Sequence, residues 1–132
     1  LGLPKHDLEQ LVKLMAFNVI YRNQDDHTKN IEFLMNQQGQ WYLAPAFDLT
    51  FAYRPEGMWT RFHQLSINGK RDELELKDLE IAVKAAGFSA QKTRRLFSEV
   101  DGGRQQWQTF AKEAGVDGER AQQIESHFRI LK

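Results

Sequence analysis

Eight polar or charged residues stand in a row from Asn23 to Asn30, directly after an apolar stripe of helical period. Upstream, Leu8, Leu11, Val12, Met15, Ala16, Val19 and Ile20 fall at three- and four-residue steps, so Lys5 to about Tyr21 reads as a helix with one buried face. Pro4 suits the entry to such a helix, because the N–H it lacks is one the first turn leaves unpaired anyway. The polar run that follows cannot serve core packing on this reading; the helix delivers it to a fixed place. The chain beyond it is equally constrained. Ile31, Phe33 and Met35 alternate with Glu32 and Asn36, and Trp41 and Leu43 alternate with Gln40 and Tyr42. With Gln37-Gln38-Gly39 between them, this is a hairpin pattern. It carries the chain out from Asn30 and returns it at Ala44-Pro45-Ala46-Phe47-Asp48-Leu49.

Phosphoryl transfer needs a residue set of this kind. A carboxylate takes the proton of the attacking hydroxyl, while an amide oxygen and a second carboxylate hold the Mg²⁺ that neutralises the moving phosphate. Asp25 and Asn30 are five residues apart, the step a kinase catalytic loop uses between base and metal-binding Asn, and Asp48 follows the hairpin where the second metal-binding Asp belongs. Asp26 competes with Asp25 for the base role, but its step to Asn30 is four, so the spacing selects Asp25. Each assignment has a plainer counterpart: Asp25 as a loop turn or polar helix cap, Asp48 as a turn or N-cap acid after Pro45. His27 reads either as a loop-shaping, hydrogen-bonded imidazole or as part of an Asp/His/Asp metal cluster, and the ligand count favours the former. Lys29 either approaches the γ-phosphate as a point charge or faces water.

The string Asp25-Asp26-His27-Thr28-Lys29-Asn30, with Asp48 in Ala-Phe-Asp-Leu after a tryptophan-bearing strand, resembles the C-terminal lobe of HipA-like serine/threonine kinases, the toxins of bacterial toxin–antitoxin pairs. The run Leu65-Ser66-Ile67-Asn68-Gly69-Lys70-Arg71 is similar to that family as well. The His follows the Asp here, an order shared with phosphoinositide kinases and opposite to ordinary protein kinases. The resemblance implies a mainly α, α+β lobe in which a small hairpin carries the catalytic and metal-binding loops. It implies Asp25, His27 and Lys29 at the catalytic position, and Asn30 and Asp48 binding Mg²⁺ and, through it, ATP. It further implies transfer of the ATP γ-phosphate to a Ser or Thr of a cytoplasmic protein, an aminoacyl-tRNA synthetase being the substrate class suggested. A small helix-turn-helix, HipB-like antitoxin would neutralise it.

The remaining chain reads as one helical domain over residues 1–132. Leu79, Ala82, Val83 and Ala86 line a helix starting near Asp78 and stopped by Gly87; Ser89 caps the next. There Leu96, Val100, Gly103, Trp107, Phe110 and Ala114 keep one phase across Asp101-Gly102-Gly103, which predicts one long helix, a break at the two glycines being the alternative. Asp117 caps a last helix lined by Ala121, Ile124, Phe128 and Leu131. His63 to Ile67 reads as a short strand ending at an Asn68-Gly69 turn. Arg54-Pro55-Glu56-Gly57 marks a loop whose Tyr53, Met58, Trp59, Arg61 and Phe62 form a substrate or interdomain surface, or else pack.

Eighteen basic residues balance 18 acidic ones, so no overall field draws the chain to nucleic acid or an acidic membrane, and the absence of cysteine removes disulfides and thiolate sites. No glycine-rich phosphate loop and no strand-borne Lys paired to a helix Glu is present. The chain therefore reads as the metal-binding half of a longer kinase, with little activity by itself. Two other readings stay open: a non-catalytic helical binding or regulatory module of kinase ancestry, and a small-molecule or lipid kinase lobe.

Overall fold

A computed structural model describes residues 1–132. The first helix, α1, spans Lys5–Ile20 and buries Val12, Ala16, Val19 and Ile20, the inner part of the expected stripe. Helices α2 (Leu76–Lys84) and α3 (Ala90–Asp101) supply Leu79, Val83, Leu96 and Phe97 to the same cluster, joined by Ile67, Leu74 and Phe88. α1 packs chiefly on α3, and α2 packs on α3 as well. Ile20, Leu79 and Leu96 are at most 1 % exposed, and each contributes roughly 1.5–3 kcal/mol by leaving water. Helices α4 (Trp107–Glu113) and α5 (Gly118–Glu125) pair with each other, burying Ala111, Ala121 and Ile124. No helix is long and apolar enough to cross a membrane.

The expected punctuation is in place. Ser89 Oγ accepts from Lys92 N–H at 3.2 Å, and Asp117 Oδ2 accepts from the N–H groups of Glu119 and Arg120 at 3.1 and 3.2 Å. Strands β1 (Phe33–Met35) and β2 (Trp41–Leu43) form a two-stranded antiparallel hairpin, with Phe33 opposite Leu43 and Met35 opposite Trp41. Asp7 Oδ2, in the first turn of α1, accepts from Leu43 N–H at 2.8 Å and so fixes the hairpin to the helix.

Two expectations are corrected. The long helix from Ser89 to Ala114 does not form: a 3₁₀ turn over Gly102–Gln106 separates α3 from α4. Two adjacent glycines weaken an α-helix by about 2 kcal/mol relative to alanine, and Tyr21 comes in at that point. Its hydroxyl donates to Val100 O at 2.7 Å, and a Cβ on Gly103 would lie 2.9 Å from it. The break shifts the phase, so Ala111 is buried while Phe110 is 49 % exposed. The stretch from His63 to Ile67 is not a strand but irregular chain ending in a tight turn. Ile67 and Lys70 exchange both backbone hydrogen bonds, and Asn68 and Gly69 have φ of 51° and 77°, the two positive values of a type I′ turn.

That turn is tied to α2 by Asp78, which is 4 % exposed. Its carboxylate accepts from Asn68 Nδ2 at 2.8 Å, Lys70 Nζ at 2.9 Å and Glu75 N–H at 3.0 Å. The Asn68 bond first, then Glu75 N–H and Lys70, hold its pKa down at about 2. A carboxyl depressed in the folded state stabilises above its ordinary pKa, and the gain is lost as pH falls through the folded value. The unfolding free energy from urea titrations should therefore drop between about pH 4 and pH 2, by roughly 2 kcal/mol from this group. The Asp78→Asn variant should show a flatter curve; parallel curves would assign the acid sensitivity elsewhere.

Candidate functional site

The helix α1 ends in a reversal at Arg22, whose φ of 57° turns the chain back. Asn23 N–H donates to Asn18 O at 2.9 Å, and Gln24 N–H and Ala52 N–H bond Ala52 O and Arg22 O, at 3.2 and 3.1 Å. The start of the polar run is thus paired alongside the segment that follows Asp48. The Asn23 side chain, 3 % exposed, completes the join. Its Nδ2 donates to Asn18 Oδ1 and to the Asp48 carbonyl, both at 2.9 Å. Asp48 has φ 52°, a left-handed conformation that Asp tolerates better than most residues. Its backbone is held there by an amide buried at the end of α1.

The next three side chains alternate in burial. Gln24 (0 % exposed) and Asp26 (4 %) point inward, while Asp25 between them is exposed. Gln24 Nε2 donates to Thr60 O at 3.1 Å and Arg61 O at 2.8 Å; its Oε1 accepts from Arg22 Nη1 at 3.1 Å. Asp26 Oδ1 accepts from Gln64 N–H at 2.7 Å, and Oδ2 lies 2.8 Å from Nδ1 of the wholly buried His63. The polar run does contribute to the core after all: Asn23, Gln24 and Asp26 are buried because each is hydrogen-bonded there. Behind them, Arg22, Asp72 and Arg129 form a charged cluster, with Arg129 N–H also bonded to Ile20 O at 2.8 Å. Burial first, then the like charge of Arg129, lowers the Arg22 pKa.

Asp25 and Asn30 meet directly. Asn30 Nδ2 donates to the Asp25 carbonyl at 3.1 Å, across a 3₁₀ turn at Thr28–Asn30. This bond orients the amide, since only its NH₂ can donate, and leaves Oδ1 unclaimed. The carboxylates of Asp25 and Asp48 likewise have no partner in the protein and are exposed. Asp48 is joined to the pair through Asn23 rather than by contact. Lys29 is exposed and unpaired, while His27 is half-buried with Nδ1 lacking a partner. The loop-shaping hydrogen bond expected of the His27 ring is therefore not made; its backbone makes the bonds instead, to Asp25 O and from Asn30 N–H. No group of three or more His, Cys, Asp or Glu residues is disposed to hold a metal, which excludes the Asp/His/Asp cluster. An amide oxygen and two carboxylates suit a hard cation that fills its shell with phosphate oxygens and water. Asn30 also borders a cavity of about 480 Å³ lined by Leu14, Phe17, Ile31, Leu43 and Leu49.

Sequence reading passed over Asn18, Gln24 and His63. Nothing local marked them, because the partners of Gln24 and Asp26 lie far along the chain, at Thr60, Arg61, His63 and Gln64.

The architecture is that of a mainly helical lobe whose small antiparallel hairpin separates two acidic loops. The model of the HipA-like C-terminal domain matches residues 2–129, and the chain belongs to that family. Membership makes it part of a HipA-like, kinase-related protein of the toxin–antitoxin setting. No curated protein matches the chain.

The two neighbouring acids should separate cleanly in a stability measurement. Asp26→Ala leaves His63 and Gln64 N–H buried without a partner and should cost about 3 kcal/mol. Asp25→Ala should stay within about 0.5 kcal/mol of wild type. Equal losses in urea unfolding would refute the inward and outward assignment.

Proposed function

We propose that this chain is the catalytic lobe of a HipA-like kinase that transfers the ATP γ-phosphate to a Ser or Thr of a protein. The observation that carries the reading is the state of Asp25. It is an exposed carboxylate without a partner, held by two buried neighbours and bonded through its carbonyl to an amide whose oxygen stays free. Fixing a base this way lowers the entropic cost of meeting the acceptor.

In the reaction, Asp25 orients the acceptor hydroxyl and takes its proton as the oxygen bonds to the γ-phosphorus and the bond to the β-phosphate oxygen breaks. Asn30 Oδ1 and the Asp48 carboxylate would hold Mg²⁺, which would supply charge neutralisation at the transferring phosphate. Lys29 lies on the same exposed loop and offers the γ-phosphate a point charge; His27 joins the loop through its backbone bonds to Asp25 and Asn30. These residues hold no glycine-rich phosphate loop, so on this reading they need a nucleotide clamp from elsewhere in the kinase and transfer little phosphate alone. The acceptor is a cytoplasmic protein of the aminoacyl-tRNA synthetase class, and a helix-turn-helix antitoxin holds the kinase in check.

The test is transfer of radiolabelled γ-phosphate by the full-length parent with Mg²⁺ or Mn²⁺. Asp25→Asn and Asp48→Asn should each reduce transfer by about 10³-fold or more while the unfolding midpoint stays near wild type. Transfer within a few-fold of wild type in either variant would sink the assignment.

A further inference from the structure

The segment after Asp48 carries the two most exposed large hydrophobic residues of the chain. Met58 is 86 % exposed, Trp59 73 % and Phe62 39 %. Such exposure on a slack loop would mean little, but this loop is tied down. Gly57 N–H donates to Arg54 O at 2.9 Å, and a Cβ on Gly57 would meet Arg54 Cβ at 2.9 Å, so the turn closes only on glycine. Gln24 holds the carbonyls of Thr60 and Arg61, Asp26 holds Gln64 N–H, and Gln64 Nε2 returns to the Trp59 carbonyl. The two anchors are the residues on either side of Asp25. The apolar tip and the proposed base are therefore parts of one hydrogen-bonded unit.

The loop itself carries an excess of positive charge. From Arg54 to Arg71 the chain carries Arg54, Arg61, Lys70 and Arg71 against Glu56 alone. Lys70 is paired with Asp78, whereas Arg54, Arg61 and Arg71 are exposed and pair with no carboxylate. Arg61 instead lies over the Phe62 ring at 5.1 Å. Tryptophan, methionine and arginine are the residues that dominate protein-binding surfaces.

We propose that the Met58–Phe62 tip with its arginines is the docking surface for an acidic, apolar-bearing strip on the acceptor protein. Naming the acceptor as the partner rests on the kinase reading above. A second copy of this chain would set arginines against arginines, which like-charge repulsion disfavours. A nucleic acid strand running from the tip to Asp25 would bring phosphates onto the exposed carboxylates of Asp25 and Asp48.

The test uses the full-length protein carrying Asp25→Asn, without ATP, so that binding is read apart from phosphoryl transfer. The probes are a fluorescein-labelled 12-residue peptide alternating glutamate with leucine and phenylalanine, its lysine counterpart, a single-stranded oligonucleotide and phosphatidylserine vesicles. The glutamate peptide should bind about tenfold or more tighter than the lysine peptide. Trp59→Ser should weaken it about tenfold, Trp59→Phe should retain it within about threefold, and Arg61→Glu should reverse the peptide preference. No binding, binding unaffected by Trp59→Ser, or tighter Trp59-dependent binding of the lysine peptide, oligonucleotide or vesicles would overturn the proposal. An inactive parent whose glutamate-peptide binding depends on Trp59 would leave the surface standing and remove the kinase reading.

Discussion

The Asn23 side chain is the interaction on which the rest of the site depends. Two loops that are 25 residues apart in sequence have to lie side by side, and Asn23 Nδ2 joins the end of α1 to the Asp48 carbonyl in a single step. A buried amide suits this task because it costs little to bury once its donors are satisfied, whereas a charged group in its place would demand a counter-ion. The join also explains the left-handed backbone at Asp48. The local conformation is unfavourable for most residues and persists because the buried hydrogen bond over-determines it.

Around that join the molecule separates two duties that the sequence places on adjacent residues. Gln24 and Asp26 are structural, and Asp25 is left free because both neighbours are engaged elsewhere. The arrangement costs no extra residues, since buried and exposed side chains alternate from Gln24 to Asp26. It also couples distant segments. The same inward-facing pair holds Thr60, Arg61, His63 and Gln64, so the loop after the second acid moves with the first acid or not at all. The apolar cluster under α1, α2 and α3 gives this polar layer a rigid floor.

Much of the fold was legible because it rests on local signals. The period of α1, the caps at Ser89 and Asp117, the stop at Gly87 and the hairpin are all set by residues within a few positions of one another. The errors fall where a distant residue intervenes. Phase continuity across Gly102 and Gly103 predicted an unbroken helix, and nothing local announced that Tyr21 would bond Val100 and need the space at Gly103. His63 looked like the start of a strand, yet it is buried against Asp26, 37 residues earlier. For the site, spacing separated Asp25 from Asp26, but reading all eight polar residues as outside the core missed that three of them are inside it.

The sequence by itself set the spacing of Asp25, Asn30 and Asp48, the carboxylate, amide and second carboxylate on which the proposed site rests. It also determined the helices and the hairpin, whose periodicities are properties of the backbone. Only the tertiary structure decided which acid faces water, how Asp48 is tied to the loop that follows α1, and which exposed aromatics stand on the segment after it. Those outcomes depend on hydrogen bonds between residues such as Asn23 and Asp48, or Asp26 and His63, whose pairing is fixed by the packing of α1 and not by any nearby residue.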